Sequence, residues 1–288
     1  MPETVRRAAV LGSPIAHSLS PVLHLTAYRE LGLRDWSYDA LECDAEGLPA
    51  LLNSLGPQWA GLSLTMPLKR AVLPLLDEAE QLVSDVGAAN TVLLIEGRRH
   101  GYNTDVPGMM TAIAEAGVNV TGRVLIVGGG ATACSALAAM QSTGPADITM
   151  AVRDAARAGQ IREVAGRLGL TIKLAVLGED LDRFEAERGR PHWHLLISTV
   201  PSGGAEYLAQ QLSEGAIAAD AVFDVIYDPW PTKLATAATE SGATVISGFE
   251  LLLHQAARQV ELMTGFAPPV QAMRAAGLAE LDRRHEGA

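Results

Sequence analysis

The chain has 288 residues and a formal net charge of −11 at pH 7, with 48% hydrophobic and 19% charged residues. That length suits two domains of roughly 100–150 residues each, and the acidic balance gives a nucleic-acid role no electrostatic support. Cys43 and Cys134, the only two cysteines, make neither a disulfide framework nor a zinc spacing. The histidines of His192-Trp193-His194 bring no further ligand types with them in sequence, so no metal is expected.

Arg6-Arg7 followed by Ala8–Leu11 mimics the start of a secretion signal. Gly12 and Pro14 interrupt the apolar run before an h-region of about 7–15 residues is reached. A first buried strand, Val5–Leu11, is the plainer reading. No run reaches the roughly 20 apolar residues that cross a bilayer, so no membrane partner and a cytoplasmic setting are expected. Pro21–Leu31 reads as a helix opened by Ser20 as N-cap and closed by Gly32. Trp36–Glu42 reads as a strand, Ala45–Leu55 as a helix and Ala60–Leu64 as a strand, and helical segments then span about Pro67–Val86. Asn90–Ile95 and Arg99–Tyr102 form a hairpin turning at Glu96-Gly97. Val106–Gly117 is helical, and Arg123–Val127 is a strand that runs into Gly128-Gly129-Gly130. The helix Ala131–Gln141 follows, then strands at Asp147–Val152, Thr171–Val176, His194–Ser198 and Ala221–Val225. Two helical runs, Phe249–Thr264 and Val270–Asp282, end the pattern. The alternation predicts an α/β fold whose second half is a doubly wound parallel sheet.

A strand that ends in Gly128-Gly129-Gly130-Ala131-Thr132-Ala133 and opens a helix has the form of a dinucleotide loop. Glycines let the backbone approach a pyrophosphate, and the helix N-terminus offers N–H donors. A plain glycine-rich turn is the bland alternative. An NAD site usually places an acid at the end of the next strand, but this strand ends Ala151-Val152-Arg153, with Arg157 four residues on. Two guanidinium groups there suit a 2′-phosphate, which favours NADP(H) over NAD. Asp154 reads as the N-cap of the following helix.

Three segments of the first half exceed what scaffolding needs. In Gly12-Ser13-Pro14-Ile15-Ala16-His17-Ser18-Leu19-Ser20-Pro21, an extended backbone would point Ser18 and Ser20 the same way, as a carboxylate clamp. In Gly61-Leu62-Ser63-Leu64-Thr65-Met66-Pro67-Leu68-Lys69, a helix opening at Pro67 puts Lys69 in its first turn. A cation there opposes the helix dipole, as an acid–base lysine would; a solvent-facing lysine is the bland alternative. The third segment runs from Gly87-Ala88-Ala89-Asn90-Thr91-Val92 to Gly101-Tyr102-Asn103-Thr104-Asp105, where Asp105 is either an N-cap or a partner for Lys69.

Together these segments, with the spacing between them, resemble the shikimate dehydrogenase family over nearly the whole chain. The resemblance implies NADPH-dependent reduction of 3-dehydroshikimate to shikimate, on the route to chorismate and the aromatic amino acids. It implies Lys69 and Asp105 as the catalytic pair, and substrate contacts from Ser18, Ser20, Thr65, Asn90, Asp105, Tyr227 and Gln255. For the cofactor it implies Gly128, Gly129, Gly130, Ala131, Thr132, Arg153, Arg157, Val225 and Gly248. It divides the chain into a substrate domain, 1–104 completed by about 248–288, and an NADP-binding domain, 105–247, with a homodimer as one assembly. The C-terminal motif Gly248-Phe249-Glu250-Leu251-Leu252-Leu253-His254-Gln255 carries a glutamine on a face shared with Leu251 and Leu252. Three positions depart from the family pattern: Ser63 stands for a common Asn, the glycine loop reads Gly-Gly-Gly-Ala-Thr, and Glu250 stands for a frequent glycine. Quinate/shikimate and aminoshikimate dehydrogenases, and a non-catalytic NADP sensor, are the alternatives.

Overall fold

The computed structural model describes residues 5–144, 147–154, 158–178 and 191–286. The chain divides into two compact units: the first runs to Gly108 and resumes at Leu252, and the second is Met109–Leu251.

The first unit is built on β1 (Arg6–Gly12), α1 (Ser20–Glu30), β2 (Trp36–Glu42), α2 (Leu48–Ser54) and β3 (Trp59–Leu64). It continues through α3 (Leu68–Ala71), a 3₁₀ turn at Leu73–Leu75, β4 (Glu78–Ala79) and α4 (Gln81–Val86). The hairpin β5 (Thr91–Ile95) and β6 (Arg98–Tyr102) leads into α5 (Asp105–Glu115). The strands form one sheet in the order β2-β1-β3-β5-β6-β4, with β1 parallel to β2 and β3, and β5 antiparallel to β3 and β6. Glu96 at φ 52° and Gly97 at φ 79° make the two positive-φ residues of a tight hairpin turn. Every residue of β3 is buried, as expected for a central strand covered on both faces.

The second unit contains β7 (Arg123–Val127), α6 (Ala131–Thr143), β8 (Asp147–Val152), α7 (Ala158–Arg167), β9 (Ile172–Val176) and β10 (His192–Ser198). Then come α8 (Glu206–Ser213), β11 (Ala218–Asp224), α9 (Lys233–Glu240) and β12 (Thr244–Ser247). Its sheet is parallel throughout and ordered β12-β11-β10-β7-β8-β9. Read from the other edge this is the doubly wound 3-2-1-4-5-6 order, with its switch point between β7 and β10. Two C-terminal helices, α10 (Gly248–Thr264) and α11 (Val270–Glu286), end the described chain.

The structure corrects several local expectations. The helical segments expected over Pro67–Val86 are present as α3, the 3₁₀ turn and α4, but the short strand β4 interrupts them. Pro74 lacks the N–H that an α-helix needs and disfavours α geometry at Leu73, so the chain takes a 3₁₀ turn and then pairs Glu78–Ala79 with β6. Ser20 is not the N-cap of α1: Leu19 holds that position, and no side chain caps the helix. The helices α8 and α9 and the strand β12 went unforeseen, because they are short: eight, eight and four residues.

Candidate active site

The loops that hold the candidate residues of the first unit leave one end of its sheet. The segment after β1 is tied to the segment after β3: Ser13 donates its N–H to Met66 O at 3.0 Å, and Thr65 donates its N–H to Leu11 O at 2.9 Å. Gly12 permits this approach, because a Cβ there would stand 2.4 Å from Thr65 Cγ2. On the next strand, Leu64 donates its N–H to Asn90 O at 2.7 Å, and Ala89 donates to Lys69 O at 2.8 Å. The lysine segment and the Asn90 segment are therefore fixed to each other by backbone.

Lys69 Nζ donates to Asp105 Oδ2 at 2.5 Å, with side chains 15% and 3% exposed. The expectation that Lys69 opposes a helix dipole fails, because α3 is a single turn of four residues and carries little macrodipole. The buried carboxylate of Asp105 answers the charge instead. Asp105 is spared capping work: Asn103 Oδ1 accepts the N–H groups of Asp105 and Val106 at 3.1 and 3.3 Å. That leaves both carboxylate oxygens for side chains, and the second, Oδ1, accepts from Asn90 Nδ2 at 2.8 Å.

Asn90 is fully buried, and its amide orientation is determined. Its Oδ1 accepts the backbone N–H of Thr104 at 2.8 Å, so its Nδ2 faces the other way. Three acceptors surround Nδ2: Thr104 Oγ1, Asp105 Oδ1 and Gln255 Oε1, at 2.9, 2.8 and 2.8 Å. An amide nitrogen has two hydrogens. The Thr104 hydroxyl can instead donate to Asn90 Oδ1 at 3.1 Å, which assigns the two hydrogens to Asp105 and Gln255. Gln255 then spends its oxygen on Asn90 and keeps Nε2 as a donor. Gly108 allows its helix to come close, since a Cβ there would lie 2.9 Å from the backbone nitrogen of Gln255. Lys69, Asp105, Asn90 and Gln255 thus form one hydrogen-bonded group.

The serine pair has a different geometry from the one expected. Leu19 is helical, at φ −86° and ψ −8°, so the alternation argument does not hold. Ser18 Oγ accepts the N–H of Ser20 at 3.2 Å, and Ser20 is buried. Ser18 and Thr65 are partly exposed.

In the second unit the backbone turns at Gly128, whose φ is +130° and whose Cβ, if present, would lie 2.1 Å from Thr199 Oγ1. Both facts demand glycine. Gly130 is the exposed N-cap of α6 and no side chain caps that helix, so its first N–H groups stay available to an anion. Ala131 and Thr132 begin the helix and are partly exposed. Gly128 donates its N–H to Ala151 O at 2.9 Å, which sets the loop beside the end of β8, where Arg153 is exposed. Arg157, and the start of the helix that Asp154 would cap, lie outside the described residues.

Two family models match the chain: "Shikimate dehydrogenase substrate binding domain" over residues 10–92, and "Shikimate 5'-dehydrogenase C-terminal domain" over residues 248–276. A curated NADP(+) shikimate dehydrogenase of Carboxydothermus hydrogenoformans is 32% identical over 93% of this chain and 94% of its own. The chain belongs to the shikimate dehydrogenase family. Among solved structures, the Mycobacterium tuberculosis shikimate dehydrogenase is 40% identical, with a TM-score of 0.83 over 96% of this chain and 99% of its own. A Thermus thermophilus shikimate 5-dehydrogenase in complex with NADP(H) and shikimate is 31% identical, with a TM-score of 0.80 over 95% and 99%.

Against this family background, other positions acquire structural explanations. Gly248 starts α10 against the end of β11, where a Cβ would meet Val225 O at 2.0 Å. Tyr227 follows β11 in a segment pinned by Asp224, whose carboxylate accepts from Thr232 Oγ1 at 2.7 Å and from Ile226 N at 3.3 Å. Burial pushes the Asp224 carboxyl above its ordinary range, against those hydrogen bonds. Thr232 in turn caps α9 by accepting from Ala235 N at 3.0 Å. Asp224 was not anticipated, and an acid closing an apolar strand was the available signal. Asn103, also unforeseen, shows in sequence only as an Asn two residues before a helix-opening Asp. His192, His194 and Asp220 do come together on β10 and β11. His194 Nδ1 accepts the N–H of Arg123 at 3.0 Å, so in the neutral ring Nε2 carries the hydrogen and is not a ligand atom. No helix of the described residues is long and apolar enough to cross a membrane.

Proposed function

We propose that this chain is an NADP-dependent shikimate dehydrogenase that reduces 3-dehydroshikimate to shikimate, reversibly, on the route to chorismate and the aromatic amino acids. The observation that carries the reading is the buried Lys69–Asp105 pair, held by Asn90 and Gln255, in a chain of this family. A Cβ-free turn at Gly128 beside an uncapped helix N-terminus fits a dinucleotide pyrophosphate. Gly128, Gly129, Gly130, Ala131 and Thr132 would hold it, Arg153 and Arg157 would take a 2′-phosphate, and Val225 and Gly248 would flank the far end. Bound there, NADPH supplies the hydride.

The chain's own groups do the rest. Lys69 Nζ gives a proton to the alkoxide oxygen that develops at C3 of the substrate, and takes it back in the reverse direction. Asp105 orients that amine through its 2.5 Å contact and accepts a hydrogen bond from a neighbouring substrate hydroxyl. Ser18 and Ser20 bind the carboxylate, while Thr65, Asn90, Tyr227 and the spare Nε2 of Gln255 fix the ring, because the reaction needs near-contact geometry. We place the reaction in the cytoplasm, in keeping with two buried cysteines that form no disulfide, and take a homodimer as its working assembly.

The test is loss of NADPH absorbance with 3-dehydroshikimate, run beside shikimate and quinate in the oxidative direction with NADP and NAD. The expected result is NADPH-linked turnover and a clear preference for shikimate over quinate. Equal specificity constants for the two acids would move the assignment to quinate/shikimate dehydrogenases. Cofactor binding without turnover of either acid would leave a sensor.

A further inference from the structure

Behind the reacting group lies a second set of polar side chains that substrate chemistry does not call for. Tyr38, Ser63, Gln259 and Thr91 are 3%, 3%, 1% and 0% exposed, and they lead to the fully buried Asn90. Burying so many polar groups is costly unless each is satisfied, and here each is. The Tyr38 hydroxyl donates to Ser63 Oγ at 2.7 Å, and Ser63 donates to Gln259 Oε1 at 2.9 Å. Gln259 Nε2 donates to Thr91 Oγ1 at 3.0 Å, and Thr91 donates to Asn90 Oδ1 at 3.0 Å. Asn90 then donates to Asp105 and Gln255. From Tyr38 to Asp105 every hydrogen bond runs in the same direction, toward the carboxylate that holds Lys69.

The sheet explains how the parts meet. Ala8 of β1 pairs with Tyr38, Val10 with Ser63, and Ser63 with Thr91, so all these residues share one sheet face. Small Ala8 leaves room for the Tyr38 ring to reach across β1. On α10, Gln255, Gln259 and Met263 recur every four residues and make one stripe. Met263 packs over Gly61, where a Cβ would lie 3.1 Å from its side chain, which brings Gln259 over Ser63 and Thr91. His24 stacks on Tyr38 at 3.9 Å between ring centroids and holds the ring in place.

We propose that Tyr38, Ser63, Gln259 and Thr91 form a directional relay that fixes the Asn90 amide, with Gln259 as a positioning residue for Asp105, Lys69 and Gln255. Ser63, where the family often has Asn, is thus one link of the relay, and Gln259 is the residue that completes it. The effect on turnover rests on the activity proposed above; the effect on the Asn90 amide does not.

The experiment uses the full chain and the variants Gln259→Leu, Thr91→Val, Tyr38→Phe and Gln259→Leu/Tyr38→Phe, with circular dichroism as the folding control. Thr91→Val keeps the side-chain shape and removes the hydroxyl that accepts from Gln259 and donates to Asn90, so it serves even where Gln259→Leu fails to fold. Two quantities are read: kcat against KM for 3-dehydroshikimate, and hydrogen exchange of the Asn90 side-chain amide by NMR. Gln259→Leu and Thr91→Val are expected to lower kcat on the order of 10- to 100-fold, as misplaced reacting groups do, with the NADPH Kd unchanged. Asn90 exchange should rise at least about tenfold in both. Tyr38→Phe should cost less, and should add nothing in the Gln259→Leu background. Unchanged Asn90 exchange, wild-type kcat in Thr91→Val, or multiplying losses in the double variant would overturn the relay. A wild type that binds NADPH without turning over 3-dehydroshikimate would instead sink the proposed activity, and the exchange measurement would still decide the relay.

Discussion

His24 offers the sharpest test of how the first unit is held together. It is fully buried in α1, its Nδ1 bonds to Ser20 O at 2.9 Å, and it stacks on the Tyr38 ring and meets the Tyr28 ring edge-on. Burial lowers its pKa from 6.5 to about 4, against the smaller opposing effect of the Ser20 carbonyl. Between pH 6.5 and 4 the unfolded chain therefore binds a proton that the folded chain refuses. Stability at this site is complete above pH 6.5 and is lost as pH falls toward 4. At about 1.36 kcal/mol per unit, a gap of 6.5 to about 4 amounts to about 3 kcal/mol, a large share of the 5–15 kcal/mol typical of a domain. The perturbation is His24→Phe, which keeps a ring against Tyr38 but cannot titrate. Urea unfolding, followed by the fluorescence of Trp36 and Trp59 in this unit, should be compared for both proteins from pH 7.5 to 4. Other titrating groups act on both proteins alike, so the difference between the two curves isolates His24. The wild type should lose about 3 kcal/mol relative to the variant across that range. Parallel pH dependences would refute the reasoning and show that His24 accepts a proton in the folded state at little cost.

Lys69→Ala should cut turnover by at least about 100-fold, as loss of a positioned general acid does, while shikimate still binds; near-wild-type kcat in steady-state assays would remove it from the mechanism. Arg153→Ala should weaken NADPH roughly 10- to 150-fold, the worth of a hydrogen bond to a charged group, and leave NADH almost untouched; equal losses in both specificity constants would make it structural. Gly128→Ala should weaken NADPH binding at least about tenfold through backbone strain of roughly 1–3 kcal/mol, with shikimate affinity unchanged by calorimetry; an unaltered NADPH Kd would show that the loop path is not what admits the cofactor.

Much of the second unit could be read from local chemistry. The strands at Arg123–Val127 and Asp147–Val152 match their forecast ends, because each is a short apolar run bounded by polar or glycine residues. The glycine loop was legible for the same reason: Gly128 needs a positive φ and a close approach at once, and only one residue type supplies both. The first unit was harder around Pro67–Val86, where several weak helical signals sit within 20 residues. There one proline and a pairing with β6 outweighed local propensity.

Sequence by itself determined the residue types at the candidate site. Lys69 and Asp105 stand out as charges at helix starts and Gln255 as an amide on a leucine face, while Asn90 came with the family resemblance. Only tertiary structure decided their partners. Asp105 looked as much like an N-cap as an acid–base partner until Asn103 was seen to take the cap. Ser18 and Ser20 looked like an extended pair until Leu19 proved helical. Tyr38 and Gln259 carry no motif, and Ser63 stood out only as a departure from the family pattern; they come from β2, α10 and β3 and meet only across one sheet face. Local physics selects which groups must be satisfied. The pairing of distant strands and the docking of a helix select what satisfies them, because a hydrogen bond depends on positions in space that neighbours in sequence do not specify.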